Sequence, residues 1–144
     1  MKGSGVKALS DEAIDALADS AEGMTSPFSQ IIVLPVHGAA TRVGATETAF
    51  AFREEHYEIL HVAGWEDNAP DKHMQWMRRS WQALQPFASQ QMYVNFLDDK
   101  GTARVRAAYG PNYERLVALK TKHDPNNVFH LNQNIKPNIS GDAG

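Results

Sequence analysis

The chain of 144 residues contains no cysteine, which excludes disulfides, thiolate nucleophiles and thiolate metal ligands together. The same absence suits a reducing compartment and makes a cytoplasmic location the expectation. No apolar run approaches the roughly 18 residues that would span a bilayer. The opening MKGSGVKAL lacks the apolar stretch of a secretory signal. An excess of positive charge is also missing: 14 Lys and Arg face 17 Asp and Glu, a formal net charge of −3. Basic residues do gather at Arg104, Arg106, Arg115, Lys120 and Lys122, but Asp98, Asp99 and Glu114 are interleaved with them. That pattern reads as a solvated face, so neither nucleic acid nor membrane is an expected partner. There is no G-x-S-x-G elbow and no G-x-x-x-x-G-K phosphate loop. GSGVKALS follows no strand and lacks the third glycine of a dinucleotide fingerprint. No self-contained nucleotide-binding motif is therefore present.

With 42% apolar and 22% charged residues, the composition is that of a globular domain able to bury a core. Ser10 is a good N-cap for a helix over residues 11–22, with Asp11 and Glu12 at its positive end and Gly23 as its stop. Ile14, Leu17 and Ala21 supply its apolar spacing. The β-branched run Ile31–Val33 predicts a strand, and Pro35 places it at a sheet edge. TAFAFRE and HYEILHVAGW each alternate, and the short spacer between them predicts an antiparallel hairpin. The clearest helix begins at Pro70 and ends at Pro86, with Met74, Met77, Trp81 and Leu84 as its apolar stripe. QQMYVNFLDD reads as another short strand, and residues 111–124 as a final helix. Together these predict an α+β fold, a mostly antiparallel sheet with helices packed on one face, followed by a polar C-terminal tail.

The six histidines do not converge on a metal. On a strand, His56 and Glu58 face one way and His61 the other, so no metal site is expected. In MYVNF, alternation places Tyr93 and Asn95 on one side, a phenol and an amide suited to orienting a substrate hydroxyl.

YVNFLDD followed by AYGPNYERLVALKTKHDPNNVFHLNQNI resembles the C-terminal signature of the berberine-bridge-enzyme-like flavoprotein oxidases. The matching residues are Tyr93, Asn95, Phe96 and Asp98, then Tyr109, Gly110 and Asn112. Arg115, Leu116 and Lys120 continue the match, followed by Asp124, Pro125, Asn127 and Phe129, and last by Gln133 and Ile135. Upstream segments resemble the second half of the family's substrate domain. The resemblance implies a substrate-domain-like region over residues 10–119, preceded by a disordered leader at 1–9 and followed by a return segment over 120–144. It implies a sheet face over a flavin ring, with Tyr93 as the candidate catalytic phenol. Asn95, Phe96, Glu58, Leu60 and His61 would be the substrate- or flavin-facing residues. Leu60 stands at or near the position where relatives carry a base or orienting group, and Phe96 stands where they often carry tyrosine. Asn127, Phe129, Gln133 and Asn134 would dock the FAD-binding domain.

No part of the sequence resembles that FAD-binding domain. The resemblance therefore implies the C-terminal, substrate-binding fragment of an FAD-dependent oxidoreductase of hydroxyl-bearing substrates. Alone it would bind no cofactor and be inactive, with FAD supplied by an FAD-binding domain or polypeptide as partner. The alternative reading is a non-enzymatic α+β module that self-associates as a homo-oligomer or docks on a partner through its exposed sheet face.

Overall fold

A computed structural model describes residues 1–89, 92–97, 101–131 and 133–138. Asp98 and Asp99 of the acidic turn, and the end of the tail from Ile139, lie outside the described residues. The strands are β1 (Lys2–Val6), β2 (Gln30–Val36) and β3 (His56–Val62). The helices are α1 (Asp11–Glu22), α2 (Pro70–Leu84), α3 (Thr102–Tyr109) and α4 (Tyr113–His123). The sheet is antiparallel in the order β1-β3-β2, with Ser4 and Val33 opposite Ile59, and Gly5 and Leu34 opposite Glu58. This is the α+β architecture expected.

Period-2 alternation gives β3 two different faces. Tyr57, Ile59 and His61 face α1 and α2, where Val6, Ala13, Ile59 and Leu84 form the main core with Leu17, Ile31 and Phe87 packed around it. Full burial of side chains such as Ile59 and Leu84 contributes about 1.5–3 kcal/mol each. Glu58 and Leu60 face the other way. There the chain returns over residues 92–97, and α3 packs against it through Met92, Leu97 and Ala108.

α1 starts where its cap predicts, with the Ala13 amide donating to Ser10 Oγ at 3.3 Å and the Gly23 amide to the Asp19 carbonyl. Its inward face is turned by one residue from the expected one: Ala13 is buried, while Ile14 is 48% exposed. α2 is likewise where Pro70 places it, but its buried stripe includes His73 and Ser80 beside Trp76, Met77 and Leu84.

Three expectations are corrected. Residues 2–6, expected to be disordered, form β1, with the Ser89 amide and the Trp81 indole N–H closing its outer side on the Gly5 and Gly3 carbonyls. TAFAFRE is not a strand and makes no hairpin with β3; β2 and β1 take both edges of β3 instead. MYVNF is not a strand either. It turns through a short 3-10 segment, Val94–Phe96, that lies across the sheet face. Glycine explains its close approach, because a Cβ on Gly3 would sit 2.9 Å from Met92 Sδ and 3.3 Å from Phe96 Cβ.

Candidate functional site

On the face of β3 away from α1 and α2, Glu58 is buried, at 2% exposure. Its Oε1 accepts the Tyr93 backbone N–H at 2.8 Å and lies 3.3 Å from His56 Nε2. A side chain thus does for the 92–97 segment what a neighbouring strand would do for a ladder. Burial pushes the Glu58 carboxyl up, against the opposing pull of the Tyr93 amide and His56. His56 Nδ1 faces the Glu54 carbonyl at 2.7 Å, and a carbonyl can only accept, so Nδ1 carries a proton. The Nε2–Oε1 contact then needs a second proton, on the ring or on the carboxyl. The pair therefore holds one proton between them in either arrangement, beneath the Tyr93 peptide.

Tyr93 is the hub of an aromatic cluster. Its ring meets Phe50 edge-on at 5.6 Å and Phe96 at 5.2 Å, and Phe50 meets Phe52 at 6.3 Å. The Asn95 amide donates to Tyr93 Oη at 2.8 Å, so the phenol and amide read as neighbours from the sequence are neighbours, though on a turn and not a strand. Tyr109 stands close by, and burial followed by the Tyr93 phenol pushes its own phenol up.

Leu60 shares the face of Glu58 and is buried against Gly3. His61 does not belong to this group. It lies on the helix side, fully buried, with Nδ1 2.7 Å from Ser80 Oγ and Nε2 without a partner among the described residues. Burial pushes its pKa down to about 4. Tyr93, Asn95, Phe96, Glu58 and Leu60 are thus brought together, and His61 is separated from them by the thickness of the sheet.

Several residues of the site were not singled out by sequence reasoning. Arg53 donates to the Phe50 carbonyl at 3.1 Å and the Ala40 carbonyl at 2.9 Å, and its guanidinium lies 4.7 Å over the Phe50 ring. Asn112 is buried and donates to the carbonyls of Ala45 and Thr48 at 2.8 and 3.0 Å. Its signal was the Tyr109-Gly110-x-Asn112 motif, where Gly110 adopts φ +51°, a conformation that favours glycine.

Away from this face, His73 bridges Thr25 Oγ1 (2.8 Å) and the Asp67 carboxylate (3.0 Å), with Trp65 stacked on its ring. Both ring nitrogens are satisfied, which makes the group a clasp between the α1–β2 connection and the start of α2. Among the described residues, no cluster of three or more His, Asp or Glu is placed to hold a metal ion, and no helix is long and apolar enough to cross a membrane.

In the return segment, Asp124 accepts the amides of Val128 (2.7 Å) and Phe129 (3.0 Å) and pairs with Lys120. The Lys120 contact and these amides hold its carboxyl below the usual range. Asn127 takes φ +50° in this turn, a conformation that asparagine tolerates. Val128, Phe129 and Leu131 project outward, Phe129 being 82% exposed. The Gln133 amide donates to the Leu97 carbonyl at 2.8 Å, tying the return segment to the site loop. Asn134 is half-buried.

Residues 92–136 match the family described as "Berberine and berberine like". Over 127 residues, 76% of this chain and 24% of the relative, the sequence is 32% identical to a tetrahydroberberine oxidase of Berberis wilsoniae. It is also 32% identical over 129 residues to an FAD-linked oxidoreductase of Bacillus subtilis, covering 89% of this chain and 29% of the relative. Among solved structures, the BBE-like 1 protein of Physcomitrella patens superposes with a TM-score of 0.73 at 30% identity, over 93% of this chain and 30% of that one. The chain thus spans about a quarter to a third of the length of the relatives it matches.

Proposed function

Because residues 92–136 place this chain in the berberine and berberine-like family, we propose that it is the C-terminal, substrate-binding part of an FAD-dependent oxidoreductase of hydroxyl-bearing substrates. The observation that carries this reading is the Tyr93 group, in which a phenol, an amide and a buried one-proton pair converge on one sheet face within or beside the family-matched residues. FAD, when bound, would accept the hydride from the substrate carbon. The described residues fit one wall of such a site: β2 adds Ile32, Leu34 and Val36 to the face of Glu58 and Leu60, an apolar surface that suits a flat ring. They do not make a pyrophosphate cradle, so holding the cofactor falls to an FAD-binding domain or polypeptide, which Phe129 and its exposed neighbours would meet.

This chain's own residues would orient the substrate. The Tyr93 hydroxyl accepts from Asn95 and so keeps its own proton free to bond, or to exchange with, a substrate oxygen. Leu60, at or near the position where the family resemblance implies a base or orienting group, carries no ionisable group. Orienting the substrate oxygen on this face would then fall to the Tyr93 hydroxyl as a hydrogen-bond donor, with Glu58 holding the Tyr93 backbone N–H and His56 beside Glu58.

Grafting this chain onto the FAD-binding part of a berberine-bridge-enzyme-like relative, in place of the matching segment, tests the reading. The expected result is a chimera that keeps flavin's visible absorbance and is bleached by a hydroxyl-bearing substrate, while the chain alone is colourless and inert. Stoichiometric FAD on the isolated chain would overturn the assignment of domains.

A second reading rests on Val33 and Leu34, each 39% exposed on edge strand β2, and on the outward Val128, Phe129 and Leu131. Apolar side chains so placed favour self-association. Light scattering over a wide concentration range decides this, and a clean monomer throughout rejects it.

A further inference from the structure

The segment from Gly38 to Glu55 has no strand or α-helix of its own, yet it delivers the Phe50 ring to the edge of Tyr93. Two side chains hold it. Arg53 closes the segment on itself through the Ala40 and Phe50 carbonyls and the Thr48 hydroxyl. Asn112 reaches it from the start of α4, more than sixty residues along the chain, and its Nδ2 faces three carbonyls, of Ala45, Thr48 and Ala49, at 2.8, 3.0 and 3.5 Å. An amide nitrogen has two hydrogens, which suits two firm bonds and one shared contact, and carbonyls on all sides leave no role for an acceptor at that atom. Gly110 makes the reach possible, because its positive φ turns the chain between α3 and α4.

We propose that Asn112 is a positioning residue for Tyr93, acting through the 45–50 loop and the Phe50 ring. The carbonyl clamp fixes the loop, the loop fixes Phe50 between the Arg53 guanidinium and Tyr93, and the edge-on contact sets the plane of the Tyr93 ring. The functional meaning of that placement rests on the reading of Tyr93 given above, whereas the placement itself does not.

Asn112→Asp is the diagnostic change, because it keeps the size and shape of the side chain and replaces the donor by an acceptor facing three carbonyls. In the whole chain carrying tyrosine labelled with carbon-13 in the ring, the Tyr93 signal is assigned by its loss in Tyr93→Phe. Asn112→Asp is expected to shift that signal and to speed backbone amide exchange over residues 45–50 by about tenfold or more, as loss of buried hydrogen bonds implies. Phe50→Leu is expected to shift Tyr93 in the same direction while leaving the Asn112 clamp intact. Leu84→Ala, which loosens the core on the far side of the sheet, should leave the Tyr93 signal in place. An unmoved Tyr93 signal in folded Asn112→Asp overturns the proposal. If that variant does not fold, an unmoved signal in Phe50→Leu overturns it equally. A shift of the same size in Leu84→Ala would show general loosening and overturn it as well. Failure of the chimera to hold or reduce flavin would sink the functional reading and leave these three results standing.

Discussion

Glu58 and His61 stand three positions apart on one strand, each almost wholly enclosed, and the sheet between them gives them opposite surroundings. On the helix side His61 is fully buried, with Ser80 as its hydrogen-bond partner, and burial drives it to the neutral form. On the other side Glu58 meets a turn of backbone, a second titratable ring and an aromatic cluster. One face is packed around an apolar core that encloses paired polar groups such as His61 and Ser80. The other is built from directed hydrogen bonds, with packing filling in around them. A family site would be expected on the second, because positioned donors and acceptors, not apolar volume, are what orient a substrate.

The contrast can be broken most forcefully from the packed side. Leu84→Ala removes a fully enclosed side chain shared by α2 and the sheet, and such truncations cost about 2–5 kcal/mol. Urea denaturation should show a loss in that range with the Tyr93 surroundings unchanged in the folded state. On the hydrogen-bonded side, Gly3→Ala forces a Cβ against Met92 and Phe96, and overpacking of this kind costs about 1–3 kcal/mol. Its distinguishing mark is hydrogen exchange: amides of residues 92–97 should lose protection before those of α2. A smaller loss than in Leu84→Ala, without that local signature, would refute the close approach as the reason for glycine.

The smallest effect separates the faces by sign. His61 has its folded pKa depressed to about 4 from an ordinary value of 6.5, so the unfolded chain binds the extra proton between those values. Its stabilising contribution is complete above the upper value and is lost as pH falls through the window. Glu58 has its folded pKa raised, so its contribution is complete below the ordinary carboxyl value and is lost as pH rises through the raised one. One proton corresponds to at most about 1.4 kcal/mol per pH unit, and the two slopes oppose each other where they overlap. Glu58→Gln should therefore raise stability near neutral pH and leave the acid-side loss from His61 steeper. A Glu58→Gln chain with an unchanged stability–pH curve would show that burial does not govern this carboxyl.

Legibility in the sequence followed the same division. The packed face was largely visible: Ser10, Gly23, Pro70 and the alternation of β3 are local signals, and each element they mark is present. Burial details slipped where a polar residue sat among apolar ones, as with His73 and Ser80 in α2, since their partners Thr25, Asp67 and His61 come from elsewhere in the chain. The hydrogen-bonded face was legible as a list of residues but not as geometry. Phe50 and Phe52 alternate as a strand would, yet the Phe50 carbonyl is taken by Arg53 and its ring meets Tyr93 and Phe52. MYVNF has strand composition, but a carboxylate, not a strand, takes its Tyr93 amide. KGSGV fell within the expected disordered leader, and its Gly3 is what lets that turn lie on the sheet.

The strand order carries a consequence for how the molecule assembles. β3 is the central strand, so neither edge strand has a partner until residues 56–62 are available. β2 then closes a loop of about twenty residues and β1 one of about fifty, and the longer closure costs the more entropy. Contacts this distant slow a folding reaction. The pairing of β2 with β3 is accordingly expected to lead and β1 to arrive later, drawing Ser89 and the turn after it into place. Lys2–Val6, at the beginning of the chain, would then be among the last to find their partners.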